Sequence, residues 1–179
     1  TKLLHIGSAP FDEPSQTAGV SLPSIRTSTV RFKNLDALEH AQRRRASGER
    51  VVTYGISGLQ THRALEDVFM AIEDGTYCVL NPSGLASIYL VFMSVLRSGE
   101  HVLVSDNVYG PVRTMNETLL KRLNIEITFF SPSQDDIASL IRPNTKMIYV
   151  ESPGSLLMEM LDMPALSAVA RAHDLVLAT

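Results

Sequence analysis

From Tyr77 onward the chain alternates between short apolar runs and longer stretches in which apolar residues recur every three or four positions. The runs Tyr77–Leu80, His101–Ser105, Glu126–Phe130, Met147–Val150 and Leu175–Thr179 predict strands. HVLVS and MIYV are almost continuously apolar, the pattern of strands covered on both sides. Between the runs, the spacing predicts helices near 84–97, 111–123, 134–142 and 164–173. Ser133 followed by Asp136 resembles a capping box with aspartate in the place of glutamate. Strands separated by crossovers of helical length build an α/β fold: a mostly parallel sheet with helices on both faces.

Upstream the pattern differs. Asn34 is placed to cap a helix running to Ala46, and Gly48 to end it. RVVTYGISG (50–58) reads as a glycine-bearing loop. Leu65, Val68, Phe69 and Ile72 fall at i, i+3, i+4 and i+7, which predicts a helix with one buried stripe, closed by Gly75. Residues 1–33 hold neither period, because Gly7, Pro10, Pro14, Gly19 and Pro23 interrupt them. Leu3, Leu4, Ile6, Val20, Leu22 and Ile25 make this arm too apolar for a free tail, so it is expected to lie across a partner.

Composition changes this picture little. With 45% hydrophobic and 20% charged residues, the 179-residue chain is ordinary for a globular domain with a real core. A net charge of −3 gives no basis for a nucleic-acid or anionic-membrane partner. Cys78 is the single cysteine; it reads as a small buried strand residue, excludes an internal disulfide and fits a reducing compartment. The first residues, TKLLHIGSAPFDEP, have no signal-peptide core, and the apolar stretch Leu85–Leu96 is too short to span a bilayer. A soluble, cytoplasmic protein is expected. The histidines at 5, 40, 62, 101 and 173 have no metal-ligand spacing, so no metal is assigned, and Arg43–Arg45 reads as a solvated helix end.

Three predicted strand ends carry polar, turn-forming clusters on one sheet edge: NPSGLAS (81–87), SDNVYGPV (105–112) and ESPGSLLME (151–159). In the first, Pro82, Ser83 and Gly84 turn the backbone, and the amides of Gly84, Leu85 and Ala86 become free donors at a helix start. Those donors suit a phosphate; the same turn also serves as a plain strand-to-helix connection. In the second, Tyr109 either stacks on a flat ring or lies over the strand end. In the third, Pro153 and Gly154 make the turn. Ligands of open α/β sheets bind beyond the carboxyl ends of the strands, so the convergence outweighs any one cluster. No Walker lysine and no GxGxxG is present, which disfavours a nucleotide.

The collinear order YGISGLQT (54–61), NPSGLAS (81–87), SGEHVLVSDNVYGPV (98–112) and RPNTKMIYVESPGS (142–155) resembles the cysteine/methionine-metabolism pyridoxal-phosphate enzymes over nearly the whole chain. ESPGS, in place of the ESPTNP of γ-acting relatives, is similar to the bacterial members that eliminate at the β-carbon of cystathionine. The resemblance implies the type I pyridoxal-phosphate fold, incomplete in this chain, with pyridoxal phosphate as cofactor. It implies an arm and linker (1–60) contacting a neighbouring subunit and the first part of the cofactor-binding large domain (61–179). The implied assembly is a homotetramer, a dimer of dimers. The implied reaction is cleavage of an amino-acid thioether, cystathionine, to homocysteine, pyruvate and ammonia in methionine biosynthesis. By the same resemblance, Ser83, Gly84 and Leu85 hold the cofactor phosphate. Tyr109 stacks on the pyridine ring and transfers protons. Tyr54 reaches the phosphate and substrate from a neighbouring subunit, and Ser155 lies beside cofactor and substrate.

The chain also departs from the family pattern. Ile56 stands where many relatives have a phosphate-binding arginine, and Gly58-Leu59-Gln60-Thr61 replaces the usual Gly-Thr-x-Thr. The family's aspartate for the pyridinium nitrogen, its cofactor-binding lysine and its substrate-carboxylate arginine would all follow Thr179. Lys2, Lys33, Lys121 and Lys146 match none of these. The expectation is therefore the N-terminal half of a lyase, inactive and poorly soluble by itself. A γ-acting relative and a non-catalytic assembly module are the alternatives.

Overall fold

Four parallel strands, β1 (His101–Ser105), β2 (Glu126–Phe130), β3 (Thr145–Tyr149) and β4 (Val176–Ala178), lie in the order β2-β1-β3-β4 and form the frame of the computed structural model, which describes residues 2–133 and 136–179. The chain divides at Leu80/Asn81 into two compact units.

In the first unit, the arm begins with a single helical turn, α1 (Lys2–His5), and a tight turn in which Asp12 bridges Thr17. Helix α2 (Leu35–Ala46) starts where Asn34 Oδ1 accepts the Ala37 amide at 2.9 Å. It stops at Gly48, whose φ of +88° only glycine adopts readily. A 3-10 turn (Gly55–Ser57) leads into α3 (Gln60–Ile72). Arg50 ties the loop to α3 through Glu66 (2.7 Å) and Asp67 (2.5 Å). The stripe expected to be buried on α3 is not: Leu65, Phe69 and Ile72 are exposed and Val68 is half-buried. The arm meets α3 beside Gly7, at Ala64 and Val68, which leaves the rest of the stripe uncovered.

The second unit opens with α4 (Gly84–Val95), then runs β1 (His101–Ser105), α5 (Gly110–Met115), β2 (Glu126–Phe130), β3 (Thr145–Tyr149), α6 (Met163–Ala172) and β4 (Val176–Ala178). Alternate strand residues feed two cores. Val102, Val104, Met147 and Tyr149 pack with Phe92 and Leu96 of the α4 segment and Val112, Met115 and Leu120. Leu103, Ile148 and Val150 pack on the other face with Leu166 and Ala170 of α6. Both faces are covered, as near-continuous apolar strands require. At the amino edge His101 is fully buried, with Nδ1 2.7 Å from Thr145 Oγ1 and Nε2 2.9 Å from Thr128 Oγ1.

Four of the expected runs are strands, within a residue or two at their ends; Tyr77–Leu80 is not and lies outside the sheet. Tyr77 and Val79 are exposed, and Cys78 is half-buried rather than a core strand residue. An apolar run becomes a strand only beside a ladder partner. The helix expected over 111–123 is broken by a wider π turn, Asn116–Leu120. That turn brings both Met115 and Leu120 into the core. Of the helix expected over 134–142 only a 3-10 turn, Ala138–Leu140, is present among the described residues; residues 134 and 135 lie outside them. The capping box expected from Ser133 to Asp136 spans residues 134 and 135 and so lies outside the described residues. Asp136 Oδ1 accepts the Ser139 amide at 3.1 Å, a local side-chain bond that competes with a longer helix.

Candidate active site

The helix α4 runs toward the amino edge of the sheet, where the short Arg97–Glu100 turn delivers the chain into β1. Phe92, in its second half, packs edge-on against Tyr149 at the end of β3, with ring centroids 5.0 Å apart. Gly84 lies eight residues earlier, about 12 Å of helical rise, which carries the first turn past the carboxyl ends of the strands. Ser83 caps this turn: its Oγ accepts the Ala86 amide at 3.2 Å. The amides of Gly84 and Leu85 have no acceptor among the described residues, and a Cβ built on Gly84 would meet nothing within 4 Å. Two free amide donors at an open helix start match the needs of a phosphate dianion.

Past β1, Tyr109 precedes the first residue of α5 and is half-exposed. Its phenol makes no hydrogen bond or ring contact among the described residues. Its backbone is held instead: the Tyr109 amide donates to Glu151 Oε2 at 2.8 Å. Glu151 Oε1 accepts the Tyr149 hydroxyl at 3.1 Å, and the Glu151 amide donates to Ser105 Oγ at 3.4 Å. Burial, and then the Glu151 carboxylate beside it, push the Tyr149 phenol well above its ordinary range, so it stays protonated and donates.

A second tie joins the same two loops. The Ser155 amide donates to the Asn107 carbonyl at 2.7 Å, while the Gly154 amide donates to the Glu159 carbonyl at 2.8 Å. Beside them a pocket of about 470 Å³ is lined by Asn107, Arg113, Ser131, Ser155, Leu156 and Glu159, among others. Arg113 sits 4.5 Å over the Phe129 ring and donates to the Asp106 carbonyl. Tyr109 and Ser155 are thus brought onto one braced edge, with the Ser83–Leu85 turn on a helix that packs against α5. Tyr54 belongs to the first unit, where it precedes the 3-10 turn and is 44% exposed. Gly55 holds it there: the Gly55 amide donates to the Ser28 carbonyl at 2.6 Å, and a Cβ on Gly55 would approach Ser28 Cα to 2.7 Å. Ile56, at the family's arginine place, is 84% exposed.

The sequence pattern alone assigns Glu151 no task and singles out neither Tyr149 nor Asn107. A carboxylate directly after an apolar strand is the signal that could have found Glu151. Among the described residues no group of three or more His, Cys, Asp or Glu could hold a metal ion. No helix among them is long and apolar enough to cross a membrane.

A model of the family described as Cys/Met metabolism PLP-dependent enzyme matches residues 1–179. The chain belongs to that family. It is 57% identical over 179 residues to the cystathionine beta-lyase of Bordetella avium, covering 100% of this chain and 45% of that protein. Among solved structures, the O-acetylhomoserine (thiol)-lyase of Campylobacter jejuni superposes with a TM-score of 0.84 at 25% identity, over 98% of this chain and 42% of the other. That structure carries pyridoxyl-lysine monophosphate. The cystathionine gamma-lyase of Lactobacillus plantarum, complexed with L-serine, superposes with a TM-score of 0.81 at 27% identity, over 98% and 42% of the two chains. The chain spans less than half the length of these relatives. The cofactor of the family is pyridoxal phosphate, and the fold is that of its lyases, present in part. The free amides of Gly84 and Leu85 fit its phosphate.

Proposed function

We propose that the protein to which this chain belongs is a carbon–sulfur lyase that cleaves cystathionine by β-elimination to homocysteine, pyruvate and ammonia, a step of methionine biosynthesis. The observation that carries this reading is 57% identity with a cystathionine beta-lyase over the whole chain, which takes in the turn before α4 and the loops after β1 and β3. Bound at this edge, pyridoxal phosphate supplies the electron sink for the pair left when the α-proton departs.

The residues of this chain do the holding. Gly84 and Leu85 offer their amides to the phosphate, with the α4 dipole adding about 0.3–1 kcal/mol. The Ser83 side chain preserves that geometry by capping the turn. Tyr109 would offer its ring as a stacking face for the flat cofactor ring, and its hydroxyl Oη would be the group that gives a proton to the departing sulfur. Ser155 faces the substrate side. Tyr54 serves phosphate and substrate from a neighbouring subunit within a homotetramer built as a dimer of dimers.

Cystathionine supplied to the full-length, cofactor-loaded protein is expected to yield pyruvate. No visible cofactor band on adding pyridoxal phosphate, or no thioether cleavage, would sink the reading. The fold shared with a cystathionine gamma-lyase favours one rival, γ-elimination, and 2-oxobutanoate as the dominant product would establish it.

A further inference from the structure

The Tyr109 ring is half-exposed and, among the described residues, touches no partner that would fix it, yet the proposed chemistry depends on where it stands. What is fixed is the backbone beneath it. Tyr109 directly precedes α5, and the direction in which its side chain leaves follows from its φ of −51° and ψ of 132°. The amide of that residue is held by one carboxylate oxygen of Glu151 at 2.8 Å. The other carboxylate oxygen is held by a nearly buried phenol, Tyr149, at 3.1 Å. The Glu151 main chain is tied to Ser105, a fully buried residue at the end of β1. A charge-assisted bond to a backbone N–H is shorter and roughly twice as strong as a neutral one, so the carboxylate suits this task.

We propose that Glu151 is the positioning residue of the site: it clamps the Tyr109 backbone to the end of β3, with Tyr149 as its anchor, and so sets the pose of the Tyr109 ring. This rests on the function proposed above. Glu151 transfers no proton and touches no substrate. Its carboxylate is spent on two bonds inside the protein, one to the segment after β1 and one to β3. The loops carrying Tyr109 and Ser155 then move as one body, since the Ser155–Asn107 bond joins the same two segments.

The test uses the full-length, cofactor-loaded protein with Glu151→Ala, Glu151→Gln and Tyr149→Phe. Each is read by kcat and KM per bound cofactor and by circular dichroism of the visible cofactor band. Glu151→Ala is expected to lower kcat about tenfold or more, to leave KM within about threefold, and to alter the dichroism. Glu151→Gln keeps an oxygen for the Tyr109 amide and is expected to recover most of the loss. Tyr149→Phe removes the anchor and is expected to lie between them. An alanine variant with wild-type kcat per bound cofactor and an unchanged band overturns the inference, even if its melting temperature falls. A glutamine variant as impaired as alanine also overturns it, because an oxygen still able to accept the Tyr109 amide would then position nothing. If Glu151→Ala does not fold, Tyr149→Phe decides, and wild-type behaviour there overturns the clamp. Wild-type protein with neither cofactor band nor thioether cleavage overturns the function reading and this inference together; an active wild type with unaffected variants overturns this inference alone.

Discussion

Gly154 lies directly against Asn107: a Cβ built on the glycine would stand 2.5 Å from Asn107 Cγ and 2.8 Å from Asn107 Cβ. No side chain fits there unless the Asn107 loop moves, and Asn107 is itself only 7% exposed. Gly154→Ala should therefore destabilise the full-length protein by about 1–3 kcal/mol, the usual cost of overpacking, measured by urea unfolding. Adding Asn107→Gly should return much of the loss, because the two residues share one space and their effects are not additive. Additive effects would show that the contact is not where the strain arises.

Tyr109 separates two tasks that the site asks of one side chain. Tyr109→Phe keeps the ring and drops the hydroxyl; cofactor affinity should stay near wild type while kcat falls about 100-fold. Tyr109→Ala should weaken the cofactor as well. Fluorescence titration with pyridoxal phosphate, beside steady-state kinetics, distinguishes the two variants. A wild-type kcat in Tyr109→Phe would remove the hydroxyl from the mechanism.

Ser83 and Gly84 should respond differently although they are neighbours. Ser83→Ala removes the oxygen that holds the Ala86 amide, so stability should fall by about 1 kcal/mol and pyridoxal phosphate should bind more weakly. Gly84→Ala adds a methyl to open space and should change stability little. Thermal melts with and without pyridoxal phosphate test both expectations.

His101 makes the second unit sensitive to acid. Burial, and then Arg142, hold its imidazole below its ordinary value, with Glu126 opposing them. The folded protein therefore keeps His101 neutral, while the unfolded chain binds a proton as pH falls below about 6.5. Stability from this residue is complete above that value and is lost on acidification. The urea midpoint should drop between about pH 7.5 and about pH 5.5, and His101→Gln should flatten that slope. Equal slopes would place the acid sensitivity elsewhere.

Much of the second unit was legible in the sequence. Val102, Val104, Leu103 and Ile148 are apolar on both faces, and such strands must be covered twice. The cap at Asn34 was legible too, because it depends on a side chain and an amide three residues away, whereas the Ala86 amide, expected to be free, is taken by Ser83 Oγ. The α3 stripe misled, since its spacing reports a helix but not what covers it, and Leu65, Phe69 and Ile72 stay exposed. Tyr77–Leu80 misled for a related reason: β-propensity is local, whereas a strand needs a neighbour to complete its ladder.

By itself the sequence determined the period of the four sheet strands and of most helices, the parallel direction implied by helical crossovers, and the family, because these rest on residues close together in the chain or on motifs in a fixed order. The clamp from Glu151 to Tyr109, the anchor at Tyr149 and the packing of Gly154 on Asn107 were decided only in three dimensions. The clamp joins the segment after β1 to the end of β3 across 42 positions of chain, and the Gly154 contact spans the same two segments. Hydrophobic pattern carries no record of which polar groups will meet across neighbouring strand ends; the parallel register of β1 on β3 supplies it.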